Sequence, residues 1–377
     1  MRIALAHAHM FRFARGVERY IVALASAFAR AGVEATIVTL RPPIAAPDLP
    51  APVRYPDLDP RVRVHTLPDP RYYTAVTSIP FYLADFARRG GYDHILIHFG
   101  LNGEGLAARL VAALSGGRTR YSIVFHFPYE ASPGRFREFR RYGLLGHATH
   151  RIAVSSYIAA SLRDHLGASC TVIPSGVDAR HFHLDPARRD TTRAALGMAP
   201  HERVLLSVGA LEPRKGMDRL LAALAPEDGG APPAPADRFV VVGDGTEAPS
   251  LRARAAALGL DDRVIWVART VDMPALYNAA DLFALLSNHE AFGLVALEAM
   301  ACGLPVVVSD DSAFPEFVTP DVGLLVDPAD GAAVRRALNL LLGDAALRAR
   351  MGSAGRRRVE AAYTWDRVAR DVLALVS

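Results

Sequence analysis

Lysine is almost missing from this chain: of its 43 basic residues only Lys215 is a lysine, and every other one is arginine. A sequence that writes its cations as guanidinium and keeps a single ammonium marks that one position. Cysteine is nearly as scarce. Cys170 and Cys302 lie in apolar contexts without metal-ligand spacing, which excludes a disulfide scaffold and suits reduced core thiols in a cytoplasmic protein. No apolar run approaches the ~20 residues of a membrane span. The short apolar stretch Ile3–Ala6 ahead of His7 reads as a first strand and not as a signal peptide. No repeat of roughly 20–50 residues is present, which excludes a solenoid. The only D-x-D, Asp57-Leu58-Asp59, sits in a proline-rich loop without the strand context of a nucleotide-metal site, so no metal is expected. No basic stripe with interleaved stacking aromatics points to nucleic acid.

What is present is ample core. The chain has 377 residues, of which 51% are hydrophobic and 22% charged, so two globular domains are expected. Charge is divided unevenly: residues 1–180 hold 22 arginines against 13 acids, and the remainder holds 21 basic against 26 acidic residues. A basic first half suggests an acidic or membrane-surface partner on that side. Strand candidates at Ile3–Ala6, Val33–Leu40, Arg63–Leu67, His94–His98, Tyr121–His126, Arg151–Val154 and Thr171–Ile173 alternate with helical stretches. These include about 17–31, Phe81–Arg89, Leu101–Leu114, Pro133–Leu145 and Ser156–Leu166. A second series follows at Val204–Val208, Phe239–Val242, Val264–Val267, Leu282–Leu286, Pro305–Val308 and Leu324–Val326. Such alternation predicts an α/β protein of two Rossmann-like domains. The polar stretch Leu184–His201 reads as the linker, and Ala225–Asp237 as a surface insertion.

The most informative segment runs from Ser287 to Asp310. Loop residues pass through Gly293 into a helix from Leu294 to Cys302, which Gly303 stops before a short strand. That helix is apolar on nearly every side, with Glu298 its only charge, so it is expected to be buried and Glu298 to have a hydrogen-bond partner. A buried arginine is one candidate partner. Glu290 lies in the loop feeding the helix, just before N–H groups that suit a phosphate. Earlier in the chain, Ser207–Gly216 (SVGALEPRKG) follows a strand and opens a helix, bringing Arg214 and Lys215 toward the sheet's carboxyl edge.

Glu290 and Glu298 resemble the E-x7-E signature of the family 4 retaining glycosyltransferases. The resemblance implies that Glu290 contacts the donor sugar's hydroxyls and Glu298 the ribose, while N–H groups near Phe292, Gly293 and Leu294 hold the diphosphate. Gly209 to Gly216 is similar to the family's G-R-x-x-x-K-G, which implies donor phosphates on Lys215 and Arg214; the usual arginine after the glycine is Ala210 here. Arg15-Gly16-Val17-Glu18-Arg19 resembles G-G-x-E-R, with Arg15 replacing the first glycine and Gly16 left to approach the donor. His126 stands where the family carries a histidine near the reacting sugar, which implies a role in orienting that sugar; His7, His9 and His98 are other strand-end histidines of lower rank. Val242–Gly245 resembles the family's G-D-G turn, Val264–Arg269 its nucleobase segment and Tyr363-Thr364-Trp365 its closing F-S-W.

The fold implied is GT-B: an acceptor-binding domain at 1–184, a nucleotide-sugar domain at 185–362 facing it across a cleft, and a helix at 363–377 crossing back to the first domain. The expected activity is retaining, metal-independent transfer of a hexose-type sugar from a UDP-, GDP- or other nucleoside-diphosphate sugar. Acceptors of three kinds stay open: a glycan, a lipid-linked sugar or a small metabolite. Two other readings also stay open, a nucleotide-sugar epimerase on the same fold and a non-catalytic binding subunit. Pro133–Tyr142 sets Arg135, Arg137, Arg140 and Arg141 among Phe136, Phe139 and Tyr142. It reads either as an amphipathic helix for a peripheral membrane contact or as a surface helix docked by its aromatics.

Overall fold

The computed structural model describes residues 1–8, 10, 16–40, 55, 57–68, 75–88, 91–98, 103–225, 236–268 and 272–377. His9, Arg15, Arg269 and most of the insertion after Ala225 lie outside them. The chain divides into two compact units, Met1–Gly176 with Trp365–Ser377, and Val177–Thr364.

In the first unit the strands are β1 Arg2–Ala6, β2 Glu34–Leu40, β3 Arg63–Leu67, β4 His94–His98, β5 Arg120–Phe125, β6 His150–Ala153 and β7 Thr171–Val172. Among the described residues they form one parallel sheet in the order β3-β2-β1-β4-β5-β6-β7. β4, and β1 and β2 after their first residues, are buried, as strands covered on both faces must be. The second unit repeats the plan with β8 Val204–Val208, β9 Arg238–Val242, β10 Val264–Val267, β11 Leu282–Leu285, β12 Val306–Ser309 and β13 Gly323–Val326. Their order is β10-β9-β8-β11-β12-β13, again parallel. Strand order reverses between β1 and β4 in one unit and between β8 and β11 in the other. At such switch points the loops leaving the carboxyl ends diverge and open a crevice for ligands.

The segment read as an irregular linker is instead partly helical. Asp185 caps the helix Pro186–Ala195 by accepting from the N–H groups of Ala187 and Arg188. Arg193 on that helix is 2% exposed. It donates to Asp281 at 2.8 Å and to the carbonyls of Ala279, Pro200 and Glu202 at 2.8–2.9 Å. Asp281 also accepts from Arg189 at 2.6 Å and from the Val204 N–H at 2.8 Å, tying this helix to the start of β8. Polar composition concealed the helix because one of its charges, Arg193, faces inward among otherwise solvent-facing polar residues.

The division between the units falls at Gly176/Val177, earlier than the expected 184/185, because residues 177–185 pack into the second unit. Phe182 meets Tyr277 edge-on, and Asn278 bonds the His183 carbonyl and the Asp185 N–H. Tyr363 likewise stays in the second unit against Phe317, while the final helix Trp365–Val376 belongs to the first. There Trp365 meets Tyr20 edge-on at 5.0 Å, Arg30 pairs with Asp366 at 2.7 Å, and Arg120 holds the Val376 carbonyl at 2.8 Å. The helix expected over Pro133–Leu145 is broken at Gly143 into Pro133–Arg141 and Leu144–His147.

Asp281→Ala leaves the guanidinium of Arg193 buried without its counter-charge. Urea unfolding of this variant should show a loss of about 3–5 kcal/mol from the second unit; a loss below about 1 kcal/mol would mean that the carbonyls alone hold Arg193.

Candidate active site

The loop after β8 and the loop after β11 flank the second unit's switch point, and they bring Lys215 to Glu290. Lys215 Nζ lies 2.6 Å from Glu290 Oε2, with the lysine 7% exposed and the Glu290 side chain 15%. Burial opposes ionisation of Glu290, but Lys215 and then Arg214 outweigh it and hold the carboxyl below its ordinary range. Arg214 stands farther off. Its NH1 is 3.9 Å from Glu290, its Nε pairs with Glu212 at 2.9 Å, and its side chain is 48% exposed.

Backbone contacts fix this meeting. Pro213–Lys215 is a single 3-10 turn, so both cations precede the helix Met217–Leu224 and do not sit in its first turn as expected. The Asn288 N–H donates to the Arg214 carbonyl at 2.8 Å, joining the two loops. Gly216 lies at φ 64°, and a Cβ there would stand 2.3 Å from the Leu286 carbonyl oxygen, so only glycine fits. Gly209 passes the lysine stem: a Cβ on it would lie 3.6 Å from Lys215 Cδ. The Val242–Gly245 turn backs this loop, with Gly209 N–H donating to the Val242 carbonyl and Leu211 N–H to that of Asp244. His289, next to Glu290, takes the left-handed backbone at φ 56°, which few non-glycine residues adopt.

Gly293, at φ 90°, caps the helix Leu294–Ala301, and a Cβ there would strike the Phe314 ring at 2.5 Å. Phe292 stacks on Phe317 at 5.2 Å and is 3% exposed, so only its backbone is available to a ligand. Ala296 N–H is the first bonded back to the Gly293 carbonyl; the N–H groups before it, including Leu294, have no acceptor within the helix. Glu298 is buried as expected, and its Oε2 accepts from the Tyr277 hydroxyl at 2.7 Å. No motif pointed to Tyr277; its signal was only an aromatic hydroxyl on a buried helix.

The first unit's switch point gathers histidines. His7 Nδ1 donates to the His98 carbonyl at 3.0 Å and its Nε2 lies 3.5 Å from Glu18. His98 Nδ1 is 3.1 Å from His126 Nε2, the rings stacked 5.4 Å apart, and Tyr20 meets His126 edge-on at 4.7 Å. His98, ranked low from sequence, is thus the direct partner of His126. Gly16 begins the helix Gly16–Arg30, and a Cβ on it would meet nothing within 4 Å among the described residues. No internal packing therefore demands glycine there.

Two expectations resolve on the surface. Phe136 and Phe139 are fully buried against Phe125, so the helix Pro133–Arg141 is docked by its aromatics and has none to offer a bilayer. Asp59 accepts from Arg61, a turn contact that holds its carboxyl down at about 2. Among the described residues no three His, Cys, Asp or Glu side chains group as metal ligands, and no helix is long and apolar enough to cross a membrane.

Two doubly wound parallel units of this kind form the GT-B fold. Sucrose-phosphate synthase from Thermosynechococcus elongatus shares it, with a TM-score of 0.80 and 25% identity over 100% of this chain and 98% of that one. So does Anabaena HepE, solved with UDP and glucose, at a TM-score of 0.81 and 20% identity over 99% and 98%. Residues 188–358 match the family described as Glycosyl transferases group 1, and residues 14–181 the one described as Glycosyltransferase Family 4. A D-inositol 3-phosphate glycosyltransferase from Salinispora tropica is 34% identical over 96% of this chain and 80% of its own. A GDP-mannose-dependent monoacylated alpha-(1-6)-phosphatidylinositol monomannoside mannosyltransferase from Corynebacterium glutamicum is 30% identical over 69% and 68%. The chain belongs to the family 4 glycosyltransferases and is a glycosyltransferase.

Burial pushes His94 and His126 down to about 3, and His98 well below the ordinary histidine value. As pH falls below ~6.5 the unfolded chain takes up protons on these rings and the folded chain does not, so stability is lost with acidification. The loss should reach about 1.4 kcal/mol per ring per pH unit. Thermal unfolding between about pH 7 and pH 4 should show the first unit weakening, and His94→Phe should make the slope shallower by roughly one proton. An unchanged slope would show that His94 titrates normally.

Proposed function

We propose that the protein is a retaining, metal-independent glycosyltransferase that takes a hexose-type sugar from a nucleoside-diphosphate sugar. The observation that carries this reading is the buried Lys215–Glu290 pair at the carboxyl edge of β8 and β11. An incoming diphosphate competes for the lysine ammonium, joined by Arg214 and the N–H groups at the Gly293 helix end. Glu290, relieved of its partner, turns its oxygens to the sugar's hydroxyls, and Glu298, steadied by Tyr277, takes the ribose. As the glycosidic bond breaks, negative charge grows on the departing diphosphate, and these cations and dipoles stabilise it without reorganising. Gly16 and His126 are the first-unit residues that the family resemblance assigns to the donor phosphate and to the sugar.

The acceptor we propose is an anionic polyol of the inositol phosphate class, free or lipid-borne. Two things support it: the names of the relatives described above, and the excess of nine positive charges in residues 1–180. The arginines at 137, 140 and 141 are exposed and offer a cationic face for peripheral contact with acidic lipid headgroups on the cytoplasmic side.

Glu290→Ala and Lys215→Ala should each lower turnover by orders of magnitude, about 10²–10³-fold for loss of one transition-state contact. Circular dichroism should stay native. Near-normal rates in folded variants would refute the assignment. Thermal-shift screening with UDP, GDP and their sugars identifies the donor, because a ligand of the native state raises the melting point. Anomeric configuration of the product, read by NMR, tests retention; an inverted anomer would overturn it.

A further inference from the structure

His98 and His126 are joined on a diagonal that the sheet dictates. β4 and β5 run parallel with Leu96 opposite Ser122 and His98 opposite Val124, so a residue's side chain meets the one 28 positions later. His94 meets Ser122 in this way, Nε2 to Oγ at 2.8 Å, and His98 meets His126 two pleat repeats further on, Nδ1 to Nε2 at 3.1 Å. Between two neutral imidazoles, one nitrogen must donate and the other accept. The geometry decides which. His98 Nε2 is buried and has no hydrogen-bond partner among the described residues. Were the His98 proton on Nε2, a buried N–H donor would go unsatisfied; with the proton on Nδ1, only a lone pair does. Orphaned buried donors are the rarer and costlier case.

We propose that His98 is a positioning residue that donates from Nδ1 to His126 Nε2 and thereby locks His126 as its Nδ1–H tautomer. His126 then presents an N–H donor to a substrate oxygen and has no lone pair left to act as a base. The functional half of this rests on the reading of His126 as the sugar-orienting residue. The surroundings keep both rings neutral and in place. Tyr20 packs against both, tilted to His98 at 5.6 Å and edge-on to His126 at 4.7 Å. His7 spends its Nδ1 proton on the His98 carbonyl, which fixes the end of β4, and sets its Nε2 3.5 Å from Glu18. Burial and the neighbouring imidazoles hold the pair far from protonation, so the donor–acceptor order is not scrambled at neutral pH.

The test is two-bond proton–nitrogen NMR on the full chain labelled with 15N-histidine, the His126 signal being assigned by its loss in His126→Asn. The expected pattern is a protonated Nδ1 and a bare Nε2 on His126, the reverse of what a free imidazole prefers in water. His98→Phe should return His126 to the Nε2–H form and lower kcat/KM roughly tenfold, the worth of one lost hydrogen bond. His98→Asn, whose amide can donate from near the Nδ1 position, should keep both the pattern and most of the rate. A His126 protonated at Nε2 in the wild type overturns the proposal, as does one tautomer shared by wild type and His98→Phe. If the NMR pattern holds while His126→Ala turns over normally, the tautomer stands and the sugar-orienting role falls.

Discussion

An ammonium and a carboxylate drawn largely out of water and paired at 2.6 Å are the constraint on which the candidate site of the second unit depends. Neither Lys215 nor Glu290 could be taken from water alone, because an isolated charge in a protein interior costs several kcal/mol or more. Their 2.6 Å contact therefore holds together two loops that are separated by 75 residues of sequence. The backbone is shaped to the same end: the Asn288 N–H reaches across to the Arg214 carbonyl, and Gly216 admits the Leu286 carbonyl where any side chain would collide. Under the proposed function a diphosphate brings the negative charge that replaces the carboxylate at this pair.

The two units share a strand plan and fill their switch points with opposite chemistry. In the second, β8 and β11 deliver an ion pair. In the first, β1, β4 and β5 deliver imidazoles, and those of His98 and His126 are kept uncharged by burial. A neutral pair supplies direction without net charge, which suits a group that orients a sugar hydroxyl. The ion pair supplies charge, which suits a phosphate. Fold alone does not separate the two roles proposed for these sites; the side chains at the strand ends do.

Much of this was legible from residue pattern. Buried parallel strands are short runs of branched apolar residues bounded by turn signals, and each expected strand has a counterpart within one or two residues. The helix carrying Glu298 was readable because glycines bracket it at 293 and 303 and its apolar residues surround one acid. Other features were hidden by composition. Pro186–Ala195 looked like a linker because its arginines and aspartate usually mean solvent, whereas Arg193 points inward to Asp281. The break at Gly143 escaped notice because a glycine inside an otherwise helical run does not by itself reveal a left-handed conformation.

The sequence by itself determined the class of fold, the identity of the two acids and the lone lysine, and their places at strand ends, because period, punctuation and rare residues are local properties. Which groups touch was decided only in three dimensions. Arg214 turns to Glu212 while Lys215 takes Glu290, Tyr277 holds Glu298, and His98 reaches His126 along a sheet diagonal. Those choices depend on strand register and on the close approach of loops distant in the chain, and neither is written in any one stretch of residues.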